Sequence, residues 1–189
     1  LCKEINSKLR LESVPATFRL KNTIGHRAVL IIRPNTNKLS GEITNTDPAY
    51  GRDGVLGVAL EEDSYPHIVQ YSRPLNKCKD LKAASLAALL VNEYTLKSSE
   101  LLDASPINRN RRRRGHKPAN LILLRDAGDR LPKFPSIKKK FGKNFACLAD
   151  MPVERGIALL TGMHTVELPP PTPNLKKDYS LRVKRSLDA

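Results

Sequence analysis

The spacing of apolar residues predicts helices and strands from the first residues onward. Apolar side chains at positions 1, 5, 9 and 11 stand among charged ones, which is typical of a short amphipathic helix over residues 1–11. Residues 14–20 alternate well enough to predict a strand. Residues 28–32, AVLII, form a continuous aliphatic run, as expected of a strand covered on both faces. The polar stretch over residues 34–57 predicts a loop.

The strongest helix signal covers residues 80–102. Asp80 is suited to cap its amino terminus, and apolar residues recur at helical spacing at Leu81, Ala84, Leu89, Val91 and Leu96. The helix is expected to end before Pro106, because the residue preceding a proline is pushed out of the α region.

The carboxyl-terminal half alternates strand and helix signals. Strands are predicted at residues 121–124, 145–149 and 165–168, with helices at 136–141 and 153–161 between them. This order implies parallel strand pairing through right-handed crossovers. The fold class expected is therefore α/β, with a mostly parallel or mixed sheet flanked by helices. Three consecutive prolines, 169–171, end the last strand and suggest the edge of the domain.

Composition adds a strong positive charge to this picture. The chain has 189 residues, 40% of them hydrophobic, and a formal charge of +14. We expect one globular unit whose charge attracts anions of every kind. No apolar run approaches the roughly 20 residues of a membrane span, so no membrane partner is expected. Cys2, Cys78 and Cys147 lie far apart, which predicts buried free thiols and a reducing, cytoplasmic location.

An arginine-rich stretch carries the clearest functional signal. No P-loop, dinucleotide fingerprint, GxSxG or HExxH motif is present. Residues 105–125, SPINRNRRRRGHKPANLILLR, place five arginines in six positions among residues typical of turns. The repulsion between these guanidinium groups must be offset by anions or acidic side chains. We therefore interpret the stretch as an ordered anion-binding loop that leads into a buried strand, since guanidinium binds phosphate and carboxylate in bidentate fashion.

Two other polar turns have related chemistry. His26 and Arg27 stand just before the AVLII run, and Asp47 lies in the turn NTDP, where it can accept hydrogen bonds from arginine or from hydroxyl groups. The four histidines are scattered, and a lone histidine is usually a structural group, so neither turn is a site by itself.

The order of these segments is distinctive. GHRAVLI is followed by TNTDP, a long helix with NEY, the arginine-rich stretch, LPKFPSIKKKFG and ERGIALLTGMHTVELP, with a closing DY. This order resembles the archaeal-type 2,3-bisphosphoglycerate-independent (cofactor-independent) phosphoglycerate mutases of the alkaline phosphatase superfamily. The most specific part is N-x-x-R-x-x-x-G-x-x-P-A-N-x-x-L-L-R, formed by Asn108, Arg111, Gly115, Pro118, Ala119, Asn120, Leu123, Leu124 and Arg125.

The resemblance implies a division of the chain and of the chemistry. Residues 1–168 resemble the α/β domain that closes over phosphoglycerate, inserted into a catalytic core that is not found in this sequence. Residues 169–189 would connect back to that core, and PPPTPNLKKDY stands there in place of the G-A-T-G segment usual in the family. The phosphorylated serine and a divalent metal, Mn, Mg, Zn or Co, are expected in the core, and none in this chain.

The resemblance also implies which residues bind substrate. Those expected to do so are Arg27, Asp47, Asn108, Arg111, Asn120 and Arg125, with His26 and Arg109 as secondary candidates; the two asparagines would either bond the substrate or fix the loop. Arg112, Arg113 and Arg114 are expected to face solvent or another domain. Two other readings stay open: a basic nucleic-acid-binding module, disfavoured by the 5% aromatic content, and a related phosphotransferase or phosphonate-metabolising enzyme.

Overall fold

The chain forms two compact units. The computed structural model describes residues 1–53, 56–131 and 133–189, with the backbone alone for Asp53 and Leu56. The first unit contains Leu1–Asn22 and Ala28–Arg130, and the second contains Thr23–Arg27 and Leu131–Ala189. The expectation of one globular unit was therefore wrong. Among the described residues the strands form three separate two-stranded sheets, so no continuous sheet joins the two halves.

The amino-terminal helix and hairpin form one part of the first unit. Helix α1 covers Cys2–Lys8, and strands β1, Ala16–Asn22, and β2, Ala28–Pro34, pair antiparallel. Alternate residues of both strands point into the unit. The other face of β2 is open, with Val29 51% and Ile31 40% exposed. The prediction that this strand is covered on both faces was wrong, because an aliphatic run does not show how many layers pack on it.

A long helix provides the core of the first unit. Helix α2 covers Leu81–Asp103, and the carboxylate of Asp80 accepts a hydrogen bond from the backbone N–H of Ala83, which confirms the predicted cap. Buried apolar residues of α1, β1, α2 and the segment between α1 and β1 form the main cluster: Ile5, Leu9, Leu11, Val14, Leu20, Leu90, Tyr94 and Leu102. A smaller cluster packs Ile43 against the alanines of α2.

The predicted loop at residues 34–57 contains regular structure. Strand β3, Tyr50–Asp53, pairs antiparallel with β4, Leu56–Ala59, while residues 54 and 55 lie outside the described residues. A 3-10 turn follows at Glu62–Ser64. The polar composition concealed the hairpin, because its strands are short and only half covered.

The second unit contains the parallel pair predicted from the sequence. Helix α4, Ile137–Phe141, precedes strand β5, Ala146–Ala149; helix α5, Pro152–Thr161, then crosses to strand β6, His164–Glu167. Strands β5 and β6 are parallel, so this crossover is confirmed. Helix α6, Leu175–Leu187, completes the described elements.

The predicted strand at residues 121–124 is not a strand. The backbone N–H of Leu124 donates to Oγ1 of Thr46 at 2.8 Å, and the Leu124 carbonyl accepts from the Thr46 N–H at 2.8 Å. These contacts belong to the first unit and use the backbone groups that a neighbouring strand would need. The fold combines helices and strands as predicted, but the expectation of a mostly parallel or mixed sheet was wrong: the described strands form small separate sheets, of which β1–β2 and β3–β4 are antiparallel. All three cysteines are half-buried and free, rather than fully buried as expected.

Candidate functional site

The arginine-rich stretch begins with a helix and not with a loop. Helix α3 covers Pro106–Arg113, and Ser105 caps it by accepting from the N–H of Ile107 at 3.2 Å. The Ser105 hydroxyl also donates to Glu4 of α1 at 2.7 Å, so the start of the helix is tied to the core. Pro106 stops α2 and starts α3, because proline is favoured in the first turn of a helix.

The arginines of α3 are held by nearby backbone carbonyls. Arg109 donates to the carbonyl of Ala104 at 2.6 Å, and Nε of Arg111 donates to that of Lys117 at 3.0 Å. Arg112 donates to both the carbonyl and the carboxylate of Asp103. Arg111 and Arg112 also lie in the last turn of the helix, where the helix dipole favours positive charge. Carbonyls and the dipole therefore offset part of the repulsion that the sequence left unexplained.

Asn108 is a structural residue of this helix. Its side chain is fully buried, and Nδ2 donates to the carbonyls of Leu102 at 2.8 Å and Ala119 at 3.0 Å. Oδ1 accepts from the N–H of Ala119 at 2.9 Å. Of the two roles left open for Asn108, the structure favours fixing the segment that follows α3.

Asp103 connects α3 to the same following segment, and the sequence interpretation missed it. Its carboxylate accepts from Nδ2 of Asn120 at 3.0 Å and from Arg112. The hydrogen bond from Asn120, with that from Arg112, lowers the pKa of Asp103 below its usual value. Asn120 is thus held beside an arginine by a shared carboxylate.

Asp47 and Arg125 come from distant parts of the sequence and lie close together. Residues 45–47 run beside residues 124–126: the N–H of Asp47 donates to the Leu124 carbonyl at 3.4 Å, and the N–H of Asp126 donates to Oδ1 of Asn45 at 3.2 Å. The carboxylate of Asp47 accepts from the N–H of Ala49 at 3.1 Å, which shapes the turn. The structure thus brings an acidic turn next to an arginine, as a small polar site requires.

The guanidinium of Arg125 lies over an aromatic ring. Its central carbon is 3.8 Å from the centroid of Tyr50, and Nε is 3.6 Å from Oδ2 of Asp126. A second arginine, Arg52, donates to the carbonyls of Ile43 at 2.8 Å and Ala127 at 2.7 Å, and burial lowers its pKa. Neither Tyr50 nor Asp126 was identified from the sequence.

The remaining predicted site residues belong to the second unit. His26 and Arg27 lie in the turn between β1 and β2, where both are exposed, and Arg27 contacts Sδ of Met151 at 3.5 Å. The first unit therefore brings together Asp47 with Arg125, and Asn108, Arg109, Arg111 and Asn120 around α3. His26 and Arg27 belong to neither group, because they lie in the second unit.

Within residues 1–53, 56–131 and 133–189, no group of three or more histidine, cysteine, aspartate or glutamate side chains is arranged to hold a metal ion. None of the helices in the same ranges is long and apolar enough to cross a membrane.

Comparison with known proteins gives a consistent family. The family model described as 2,3-bisphosphoglycerate-independent phosphoglycerate mutase matches residues 1–108, more than half of the chain. A protein of that name from Aeropyrum pernix is 44% identical over 162 residues, covering 85% of this chain and 37% of its own. Another, from Methanopyrus kandleri, is 31% identical over 189 residues, covering 100% of this chain and 39% of its own.

A solved structure agrees at the level of the fold. The cofactor-independent phosphoglycerate mutase from Thermoplasma acidophilum aligns over 99% of this chain and 43% of its own, with a TM-score of 0.51 and 22% identity. The fold and the motif define a phosphoglycerate-mutase-type α/β protein. The chain belongs to the 2,3-bisphosphoglycerate-independent phosphoglycerate mutase family, and it spans about two fifths of the length of the curated relatives named here.

Proposed function

We propose that this chain is the substrate-enclosing part of a phosphoglycerate mutase that interconverts 3-phosphoglycerate and 2-phosphoglycerate in glycolysis and gluconeogenesis. The observation that carries the proposal is the placement of Asp47 beside Arg125 in a member of this family. An arginine that binds anions and a carboxylate that accepts from hydroxyls are the two chemistries that a phosphorylated hydroxy acid requires.

The proposed reaction divides between this chain and a core of the alkaline phosphatase superfamily outside it. A serine hydroxyl of the core gives up its proton and attacks the phosphorus, the bond between phosphorus and O3 of glycerate breaks, and O3 takes up a proton. The O2 hydroxyl then gives up its proton and attacks the phosphoserine, the bond between phosphorus and the serine oxygen breaks, and that oxygen takes up a proton. The divalent metal would supply charge neutralisation in the core. On this proposal the 189-residue chain alone is inactive as a mutase.

The work proposed for this chain is to grip the anion and exclude water. Arg125 and Arg111 bind the phosphate or carboxylate, and Asp47 accepts a hydroxyl of glycerate. Asn108 and Asn120 hold the segment between the two arginines, through the bonds described above. Enclosing glycerate favours its hydroxyl over water as the acceptor of the phosphoryl group, so that mutase activity prevails over hydrolysis.

The remaining parts of the chain have roles in the same function. Residues 1–168 form the substrate-enclosing lid, and residues 169–189 connect it with the core. Arg27 contributes to substrate binding, with His26 and Arg109 as secondary contributors. The enzyme works in the cytoplasm, where its phosphorylated substrates occur.

Binding of 3-phosphoglycerate by the 189-residue chain tests the proposal directly. Calorimetric titration at fixed ionic strength should give saturable one-to-one binding. Arg125→Ala should raise Kd about tenfold, since a charge-assisted hydrogen bond contributes about 1.5–3 kcal/mol. The matched control is Arg113→Ala, because the side chain of Arg113 makes no hydrogen bond or ion pair within the part of the chain that the structure describes. That variant should change Kd less than twofold.

The same titration discriminates the alternatives. Equal loss of binding in both variants would show a diffuse charge effect and would contradict the proposed site. Binding of a phosphonate in preference to 3-phosphoglycerate would assign the chain to a related phosphonate enzyme instead.

A further inference from the structure

Tyr50 is fixed in place before any ligand binds. It is the first residue of β3, and its carbonyl accepts from Nδ2 of Asn45 at 2.9 Å. Its N–H donates to the carbonyl of Asp47 at 3.4 Å, which closes the acidic turn. The ring that supports the Arg125 guanidinium at 3.8 Å therefore belongs to the same turn as the carboxylate of Asp47.

Asp126 is fixed on the other side of the arginine. Its φ of 58° is the only positive value at a non-glycine residue among those the structure describes. Such a conformation persists only where surrounding contacts hold it. Here Asn45 accepts from the Asp126 N–H at 3.2 Å, and the carboxylate packs so closely on Gly57 that a Cβ there would overlap it.

These two neighbours leave part of the guanidinium available. Tyr50 covers one face, and the Asp126 carboxylate lies 3.6 Å from Nε. The terminal nitrogens, Nη1 and Nη2, make no hydrogen bond within residues 1–53, 56–131 and 133–189. A planar guanidinium whose two terminal nitrogens are available can donate to two oxygens of one phosphate or carboxylate group.

We propose that Tyr50 and Asp126 are positioning residues that orient the Arg125 guanidinium so that its terminal nitrogens receive an oxyanion of the substrate. The inference rests on the proposed function and extends it to two residues outside the motif. An arginine side chain loses rotamer freedom when it binds. Stacking on Tyr50 restricts that freedom beforehand, so less of the binding free energy is spent on ordering the side chain.

Asp126 limits how the guanidinium turns within its plane. At 3.6 Å its carboxylate pairs with Nε beyond ordinary hydrogen-bond distance, and it makes no hydrogen bond with the terminal nitrogens. The Asp126 carboxylate therefore favours one orientation of the guanidinium without occupying the donors that the substrate needs. Loss of its charge should leave Arg125 stacked but less restricted in direction.

Two-dimensional ¹H–¹⁵N spectra of the arginine Nε–Hε groups in the 189-residue chain test this inference. Tyr50→Leu should move the Arg125 cross-peak, through loss of the ring current, and should raise Kd for 3-phosphoglycerate about two- to fivefold, the size of an exposed cation–π contact. Tyr50→Phe keeps the ring and should restore both properties. Asp126→Asn, which tolerates the positive φ, should raise Kd by about twofold and keep the cross-peak near its position.

Tyr179→Leu is the matched control, because Tyr179 is an exposed tyrosine of α6 in the other unit. It should change neither the cross-peak nor Kd, and thermal denaturation should be unaffected in all four variants. An unmoved cross-peak or an unchanged Kd in Tyr50→Leu would overturn the inference. Absence of 3-phosphoglycerate binding by the unsubstituted chain would refute the proposed function, whereas the cross-peak would still show whether Tyr50 holds Arg125.

Discussion

Replacing Glu93 with glutamine should lower the free energy of unfolding of the chain. Glu93 lies on α2, and its carboxylate accepts from the N–H of Glu12 at 2.6 Å and of Ser13 at 3.1 Å, from the Ser13 hydroxyl, and from Lys97. Burial alone would raise the pKa of Glu93, but these donors outweigh it and lower the pKa from 4.5 to about 2. The carboxylate thus fastens the segment between α1 and β1 to the main helix.

The lowering of the Glu93 pKa sets the size of the expected loss of stability. One pKa unit corresponds to about 1.4 kcal/mol, so a fall from 4.5 to about 2 represents at most about 3 kcal/mol. Solvent reaches the hydrogen bonds from Glu12 and Ser13 and screens them, so we expect a smaller loss, of about 1–2 kcal/mol, in Glu93→Gln at neutral pH. A glutamine cannot replace the carboxylate, because its amide nitrogen would face N–H donors.

Urea denaturation followed by circular dichroism measures this loss at a series of pH values. Because the folded-state pKa of Glu93 is lowered, its contribution to the free energy of unfolding is complete above pH 4.5 and disappears as the pH falls toward about 2. The difference between unsubstituted chain and variant should therefore vanish in acid. Glu12→Gln, which removes an exposed ion pair with Lys97, is the control and should cost under about 1 kcal/mol. Equal unfolding midpoints of the unsubstituted chain and Glu93→Gln at neutral pH would refute the reasoning.

Three further predictions concern the arginine helix and its surroundings. Asn108→Ala should lower the free energy of unfolding by about 2–3 kcal/mol in denaturant melts, because buried carbonyls lose their donor; Asn120→Ala, at a more exposed position, should lower it by less than about 1 kcal/mol. In the full-length mutase of the proposal, Arg111→Ala should cost several kcal/mol of transition-state binding, and an unchanged kcat/KM in steady-state assays would contradict its role. Binding of the chain to generic duplex DNA should be weak in fluorescence titrations, while binding of 3-phosphoglycerate is retained; tight DNA binding that is lost steeply with added salt would favour the nucleic-acid reading instead.

Local signals explain which elements could be predicted from the sequence. Helix α2 has a capping aspartate and a helical apolar pattern, and both act within a few residues of each other. The β5–α5–β6 crossover is likewise recognisable, because strand and helix alternate over a short span. The number of layers on β2 and the pairing of residues 121–124 depend on distant segments. No local pattern reports either.

Helix α3 shows how chemistry can mislead a structural prediction. The repulsion of neighbouring arginines and the flanking turn residues favoured a loop. Two signals pointed the other way: Ser105 followed by Pro106 is a typical helix start, and arginine has a high helix propensity. The carbonyls that receive Arg109 and Arg112, at the end of α2, are visible only in the folded chain.

The candidate site was only partly predictable for a related reason. Asp47 and Arg125 were identified through motifs, and the structure places their backbone segments side by side. Tyr50 carries no signal by itself, because its importance arises from a contact with Arg125 across about 75 residues of sequence. Aspartate followed by alanine and glycine after an apolar run is a turn signal that points to Asp126, though not to its contact with Arg125.

The positive residues behind the net charge of +14 act in two different ways in the structure. Arg112 of α3 keeps its charge, but both of its terminal nitrogens donate to Asp103, so it acts mainly through long-range attraction, which salt screens. Within the residues that the structure describes, the terminal nitrogens of Arg125 have no hydrogen-bond partner, so this arginine acts through geometry at short range. On the proposed function, substitution of Arg112 should therefore change the association rate and its salt dependence. Substitutions at Arg125 or Tyr50 should instead change the dissociation rate.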